Sequence, residues 1–352
     1  MSTTASTSAA ETNVGGRYVL GRRIGEGGLG IVFEAVDLTT RREVAIKLMR
    51  ARDGREPPAL RSDREAWMTA AVQHPHVVEV IDAGPLSGGG SFIAMELLRG
   101  RTLREELNAH GPLPGRWVAA VMAGVIDALA SAHEAGIVHR DLKPDNVMLT
   151  TRGGLLHAKL LDFGLAAPVT DPVAMPRLTA VGTMLGTIAY MAPEQVVGLP
   201  PTAALDVYAL GVVLHELLTG VLPYDDRGDA SLLYDKTLGV VRLDALDAVV
   251  EGAAWRALIE PMLALDPLLR PAVGTIAAAI EVLAGADAAQ QPSAVPTCSP
   301  RERRATAPRS HGPARRRLAI VTLARAWLGG LTALGRSKLG ATARAIPSDD
   351  GA

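Results

Sequence analysis

Eight consecutive residues, His139-Arg140-Asp141-Leu142-Lys143-Pro144-Asp145-Asn146, place a carboxylate, an ammonium and an amide close together. Asp141 can accept or orient the proton of an attacking hydroxyl. Lys143 can neutralise charge that builds on a transferred phosphoryl group. Asn146 offers an amide oxygen, a hard ligand suited to magnesium. Pro144 stiffens the loop and bars a helix from running through it. Most charged surface loops of this composition are merely solvated, so a chemical role needs support from the rest of the chain.

Further stretches supply that support. Ile24-Gly25-Glu26-Gly27-Gly28-Leu29-Gly30-Ile31-Val32 carries glycines at 25, 27 and 30, which free the backbone to approach phosphates. A dinucleotide-binding turn shares that spacing but needs a helix directly after it. Ile31–Val36 is instead β-branched and aromatic and predicts a strand. Val44–Met49 alternates, with Val44, Ile46 and Leu48 on one face and Ala45 and Lys47 on the other. Asp162-Phe163-Gly164 begins sixteen residues past Asn146. Residues 165–191 follow with no clear period and with Pro168, Pro172 and Pro176, and lead into Ala192-Pro193-Glu194. A loop of that length is usually functional or disordered.

In this order and spacing the motifs resemble those of the bacterial eukaryotic-like (Hanks-type) serine/threonine protein kinases, over roughly residues 17–284. The resemblance implies an α+β, two-lobed protein kinase fold. A small antiparallel β-sheet lobe with one main helix would span 17–96, and a larger, mostly helical lobe 97–284. ATP would lie between them with magnesium, or manganese in its place. Ile24, Gly25, Gly27, Gly28, Gly30 and Val32 would cover the nucleotide. Ala45 leaves room for the purine, and Met148 forms the floor of its pocket. Met95 takes the gatekeeper place, with Glu96 and Leu98 in the segment joining the lobes. Lys47 would pair with the α- and β-phosphates. Glu65, on a helix predicted over 60–72, would hold Lys47, with Asp63 as its competitor. Asn146 and Asp162 would hold the metal, Asp141 would align the acceptor hydroxyl, and Lys143 would screen the γ-phosphate. Lys143 points to Ser/Thr rather than Tyr as acceptor.

The resemblance also assigns supporting roles. Asp206 braces the catalytic-loop backbone, Arg270 pairs with Glu194, and His139 packs rather than acts as a base. Arg140 before Asp141 implies a switch by phosphorylation of the activation loop, in trans by a second copy, at Thr183 or else Thr179. Thr170 and Thr187 are the other candidates, and Thr187 is assigned to the active site instead. Ile188 stands where many relatives carry Pro, a departure at the substrate-docking surface. A nucleotide-binding scaffold without turnover would lack a Lys, Asp or Gly of these motifs, and none is missing. A kinase for small molecules has no need of the long loop before Ala192-Pro193-Glu194.

The remaining elements follow from pattern. Strands are expected over 77–81 and 91–97 around the turn Ser87-Gly88-Gly89-Gly90. Thr102-Leu103-Arg104-Glu105 is a capping box that opens a short helix, closed by Gly111-Pro112. Residues 117–135 carry Val118, Val121, Met122, Val125 and Leu129 at helical spacing. His133 on that helix has no partner visible in the sequence. Helices are also expected from Ala204 through Leu218 and over 254–265 and 273–284.

Residues 1–16 read as a disordered leader without a signal-peptide core. Residues 285–314 read as a flexible linker, rich in Ala, Pro, Ser, Gln and Arg. Within the tail, Leu318–Gly335 is mostly apolar and follows three arginines. Arg325 at mid-bilayer would cost about 2.5–3.5 kcal/mol, and both flanks are basic, which argues against a spanning helix. A segment lying on a membrane, docking to a partner or remaining disordered fits better. Residues 301–352 hold eleven Lys and Arg against three Asp and Glu, which leaves 25 basic and 34 acidic residues before them. An acidic body argues against a nucleic-acid partner there. The single Cys298 cannot form an internal disulfide and fits a reducing compartment. The expected setting is cytoplasmic, with protein substrates as partners and residues 318–335 as the one segment offered to a membrane surface.

Overall fold

The computed structural model describes residues 13–27, 30–49, 72–87, 89–161, 167–168, 188–225 and 228–285. The period-two stretch at Lys47 forms strand β4 (Glu43–Met49). It pairs antiparallel with β3 (Gly30–Asp37) on one side and β6 (Ser91–Glu96) on the other. Three more strands complete the six-stranded antiparallel sheet, in the order β1-β2-β3-β4-β6-β5. They are β1 (Asn13–Val14), β2 (Tyr18–Gly27) and β5 (Val80–Pro85).

Register divides the sheet into two working faces, because residues directly opposite each other share a face. Val32 lies opposite Lys47, Lys47 opposite Ile93, and Ala45 opposite Met95, so these five side chains form one surface. The alternate residues Val44 and Ile46 turn the other way and pack with Val14, Tyr18, Ala35, Phe92 and Ala94. Tyr18 meets Phe92 edge-on at 5.8 Å. The glycine at 30 is required by this packing, since a Cβ there would stand 2.2 Å from the Leu48 carbonyl oxygen.

Two expectations are corrected in this region. Residues 13–16, expected within a disordered leader, include strand β1, and Val14 is buried against the sheet. The strand expected over 77–81 begins at Val80 and runs to Pro85. The β-branched residues before it are captured by the large lobe: Val77 bridges Leu160, and Val78 N donates to Leu160 O at 3.0 Å. Val72 and Val77 accordingly belong to the large-lobe core.

In the large lobe, β7 (Gly100–Thr102) leads into α1 (Leu103–His110), and Thr102 and Glu105 cap each other reciprocally as the sequence predicts. Helix α2 (Gly115–Glu134) buries Val118, Val121, Met122, Val125 and Leu129. Among the described residues it alone is long and apolar enough to cross a membrane, but it is the core helix of this lobe. The chain continues through β8 (Ile137–Val138), β9 (Val147–Arg152) and β10 (Leu155–Leu160). A short β11 (Ala167–Pro168) and the short helix α3 (Pro193–Val197) precede α4 (Ala204–Thr219). Every residue of α4 from Leu205 to Leu218 is buried. Each fully buried Leu or Val there contributes about 1.5–3 kcal/mol, so α4 is the fixed post of the lobe. Helices α5 (Asp229–Leu238), α6 (Gly252–Met262) and α7 (Val273–Ala284) follow.

Three histidines join residues 72–79 to the large lobe. The His76 ring lies 4.2 Å from that of His157 and 5.8 Å from that of His74. His76 Nδ1 donates to Ala158 O at 2.7 Å, and His74 Nε2 to Asp127 on α2 at 3.0 Å. Gly124 on α2 makes room, since a Cβ there would fall 2.2 Å from the His76 ring. Burial holds the His76 imidazole below its ordinary pKa, and burial does the same to His215 on α4. An unfolded chain protonates these rings near about pH 6.5 while the folded protein resists, so the unfolded state holds more protons below that value. Stability is therefore expected to fall as pH drops below about 6.5, down to the depressed folded pKa values. Urea midpoints compared at about pH 7.5 and 5.5 check this, with a smaller difference expected in the His76→Gln/His215→Gln variant. Equal midpoints in the unaltered protein would contradict it.

Candidate active site

The catalytic-loop sequence connects β8 to β9. His139 is fully buried, and its Nε2 donates to Leu161 O at 2.9 Å. Arg140 takes a positive φ of 69°, which a non-glycine residue adopts only at a cost of about 1–3 kcal/mol. Asp206, in the first turn of α4, holds the loop in that shape. Its Oδ2 accepts the His139 amide at 2.8 Å and its Oδ1 the Arg140 amide at 2.9 Å. His133 Nε2 donates to the same Oδ2 at 2.8 Å. Burial pushes the Asp206 carboxyl up, but the His133 contact and the loop hydrogen bonds outweigh it and hold it below the usual range. His133 thus has a partner 73 residues away, which corrects its reading as a residue without one.

Beyond Arg140, Lys143 Nζ donates to Asp141 Oδ2 at 2.7 Å. Asn146 Nδ2 reaches the same oxygen at 3.0 Å and the Asp141 carbonyl at 2.7 Å. Among the described residues, Asp141 Oδ1 accepts no hydrogen bond, so one carboxylate oxygen is fixed and the other is available. The 3₁₀ turn Pro144–Asn146 sets this geometry, with Pro144 at its first position. Because Asn146 spends its NH₂ on Asp141, its amide oxygen is turned away as a hard donor.

Asn146 also lines a cleft of about 730 Å³. Its other walls include Ile24, Val32, Ala45, Lys47, Met95, Glu96, Leu98 and Met148, each predicted from the sequence. Lys47 is only 4% exposed. The Glu96 carboxylate accepts from Lys159 and from the Glu79 amide, the latter at 2.8 Å. Among the described residues, Val78, Val80, Ile93, Leu97 and Leu161 also line the cleft and were missed. Ile93 was readable by stepping back two residues from Met95 along the strand. Val78 and Leu161 were not, because a contact between distant segments brings them together. Gly25, Gly27 and Gly30 belong to the paired strands β2 and β3, and Gly25 and Gly30 do not line the cleft.

Glu65, Gly28, Asp162, Thr170, Thr179, Thr183 and Thr187 lie outside the described residues, as do residues 60–71 of the helix predicted over 60–72 and the segment 318–335. The described residues contain no cluster of three His, Cys, Asp or Glu able to hold a metal ion. The Asn146 amide oxygen fits a magnesium-type ion as one hard ligand, and a carboxylate from Asp162 would be the second.

The segment after the long loop is anchored to the same post. Arg270 forms a buried two-pronged pair with Glu194, at 2.5 and 2.8 Å, as the sequence implies. Gln195 Nε2 donates to Arg140 O at 3.1 Å, which ties the start of α3 to the catalytic loop. Lys236 Nζ is fully buried and donates to Met191 O at 2.8 Å. Of these links sequence reasoning found only the Arg270–Glu194 pair, and it missed a fourth as well. Arg104 from α1 donates to Glu216 of α4 at 2.8 Å and to the Tyr190 hydroxyl, and Tyr190 donates to Glu216 at 2.5 Å.

Comparison with known proteins agrees with this architecture. Residues 18–280 match the family described as protein kinase domain. The probable serine/threonine-protein kinase pknA2 of Bifidobacterium longum is 40% identical over 62% of this chain and 28% of its own length. The serine/threonine-protein kinase PknL of Mycobacterium bovis is 40% identical over 67% of this chain and 57% of its own. PrkC of Bacillus subtilis is 37% identical over 62% and 33%. The chain therefore spans only just over a quarter to just over half of these relatives. The family match takes in the sheet from β2 onward, the loop held by Asp206 and the helices that carry both, and on that basis the chain belongs to the protein kinase family.

Proposed function

We propose that this chain is an ATP-dependent protein serine/threonine kinase that transfers the γ-phosphoryl group to protein Ser and Thr hydroxyls. The observation that carries the reading is the Asp141 carboxylate, with Oδ2 pinned by Lys143 and Asn146 and Oδ1 available. Asn146 links it to an apolar cleft that contains the buried Lys47.

Each residue then has a task. The apolar cleft wall takes the adenine, and Lys47 holds the α- and β-phosphates. Asp141 Oδ1 orients the acceptor hydroxyl in line with the γ-phosphorus. As the new O–P bond forms, the bond to the ADP oxygen breaks and the hydroxyl proton passes to Asp141. The transition state is loose and needs little early proton abstraction, so an ordinary carboxylate suffices. Lys143 screens the charge on the transferring group, and placement with fixed charge supplies most of the acceleration. When bound to Asn146 and Asp162, magnesium, or manganese in its place, would neutralise part of the triphosphate charge.

The reading includes a domain over 17–284, to which β1 is added, and a basic tail over 285–352 in a cytoplasmic setting. The tail segment 318–335 is the part offered to a membrane surface or partner. It also includes activation in trans through Thr183 or Thr179. A phosphothreonine adds about −1.5 to −2 charge and three acceptors, suited to pairing with a guanidinium such as that of Arg140. The Thr179→Ala/Thr183→Ala variant is expected to lose most activity and most incorporated phosphate. Full activity of this variant, with no phosphate found on the loop by mass spectrometry, would remove the switch. The reaction class is tested by incubating the protein with γ-labelled ATP and a generic basic protein, then hydrolysing the product. Label in phosphoserine and phosphothreonine is expected; label confined to phosphotyrosine, or none, would overturn the proposal.

A further inference from the structure

A charged network beside the catalytic loop has no task in the transfer step. Glu216 sits on α4, nearly buried, and Asp145 lies in the 3₁₀ turn next to Asn146. The two carboxylates come from different elements and converge on one guanidinium. Arg104 Nη1 donates to Glu216 Oε1 at 2.8 Å, Nη2 to Glu216 Oε2 at 3.2 Å, and Nε to Asp145 Oδ2 at 3.4 Å. The Tyr190 hydroxyl accepts from Arg104 and donates to Glu216. Exposure grades across the group: the side chain of Glu216 is 9% exposed, that of Arg104 25% and that of Asp145 49%. The network therefore opens to solvent at its Asp145 end.

That end is close to the acceptor position. Asn146, the next residue, holds Asp141 Oδ2. Asp145 follows Asp141 by four residues, a separation of at most about 14 Å along the chain. An extended substrate with an arginine a few residues from its acceptor hydroxyl spans that distance. Two carboxylates at such a place would suit a planar guanidinium. Here an arginine of the chain itself already occupies them.

We propose that Arg104 is a specificity-determining residue, an internal cation that fills the acidic pair Asp145/Glu216 and keeps the chain from selecting acceptors flanked by a basic residue. The inference rests on the kinase reading and adds the charge class of substrate that the site declines. A purely structural Arg104 would tie α1 to α4 and affect all substrates alike, so the ratio between substrates separates the two roles.

The test uses the full chain and a threonine peptide with neutral flanks, beside copies that carry one arginine at each of the four preceding positions. The unaltered protein should show no preference for the arginine copies in kcat/KM. Arg104→Gln keeps a donor toward Glu216 and Tyr190 but loses the charge. It should raise the ratio of arginine to neutral peptide by roughly tenfold or more at one or two positions. Adding Asp145→Asn and Glu216→Gln should return the ratio to its original value. Asp145→Asn alone changes a half-exposed residue and spares the core even if the Arg104 variant folds poorly. It should shift the ratio the other way, toward the neutral peptide. Transfer with unchanged ratios in Arg104→Gln and in Asp145→Asn would overturn the role of Arg104 and leave the kinase reading standing. No transfer to any peptide by the unaltered protein would overturn the kinase reading and this inference with it.

Discussion

Lys47→Met is expected to fold normally and to lose phosphoryl transfer by about 10²–10³-fold, the usual cost of removing one preorganised charge-stabilising donor. Met replaces the apolar stem of lysine and is one atom shorter, so packing on the cleft face between Val32 and Ile93 should survive. The variant lacks the cation and its donors, and among the described residues no other Lys or Arg lines the cleft. Thermal unfolding and initial rates measured on the same preparation separate fold from chemistry. Activity above about a tenth of normal would show that the charge on the phosphates is met elsewhere.

Asp206→Ala is expected to damage both fold and activity. It removes the acceptor for the His139 and Arg140 amides and the partner of His133 at once. Each buried donor left unpaired costs about 1–3 kcal/mol, so a loss of at least about 3 kcal/mol is expected. The positive φ of Arg140 would lose its brace, and Asp141 would lose its fixed position with it. Asp206→Asn keeps one acceptor but turns an amide donor toward a backbone donor, and should fall between the two. A urea midpoint unchanged in Asp206→Ala, with activity retained, would show that the loop is held by its other contacts.

What was readable in the sequence depended on how locally each feature is encoded. The cleft face of β4 could be read because a strand alternates with period two, and Ala45 and Lys47 lie on one side of it. The resemblance to the kinase family, carried by its motifs, picked out Asp141, Asn146, Met95 and Met148, and it paired Arg270 with Glu194. Features that depend on distant segments were not readable. His133 shows its role only once α2 packs beside α4 and meets Asp206. The valines before Val80 satisfy a strand pattern, yet the β10 edge takes their hydrogen bonds, and period alone cannot foresee that competition. Val14 looked like part of a polar leader because two residues are too few to show alternation. Arg104, Tyr190 and Glu216 come from three separate elements, and each alone resembles an ordinary surface or core residue.

The most direct test of the central claim is single-turnover transfer from γ-labelled ATP to a protein acceptor, run side by side for the unaltered chain and Asp141→Asn, with nucleotide binding measured on both. Asp141 does not line the cleft, so the two proteins should bind ATP alike. Only the unaltered chain should place label on Ser and Thr, with Asp141→Asn slower by about 10²–10⁴-fold, the usual contribution of a positioned general base. Equal rates in the two proteins, or nucleotide binding without transfer in the unaltered chain, would contradict the account.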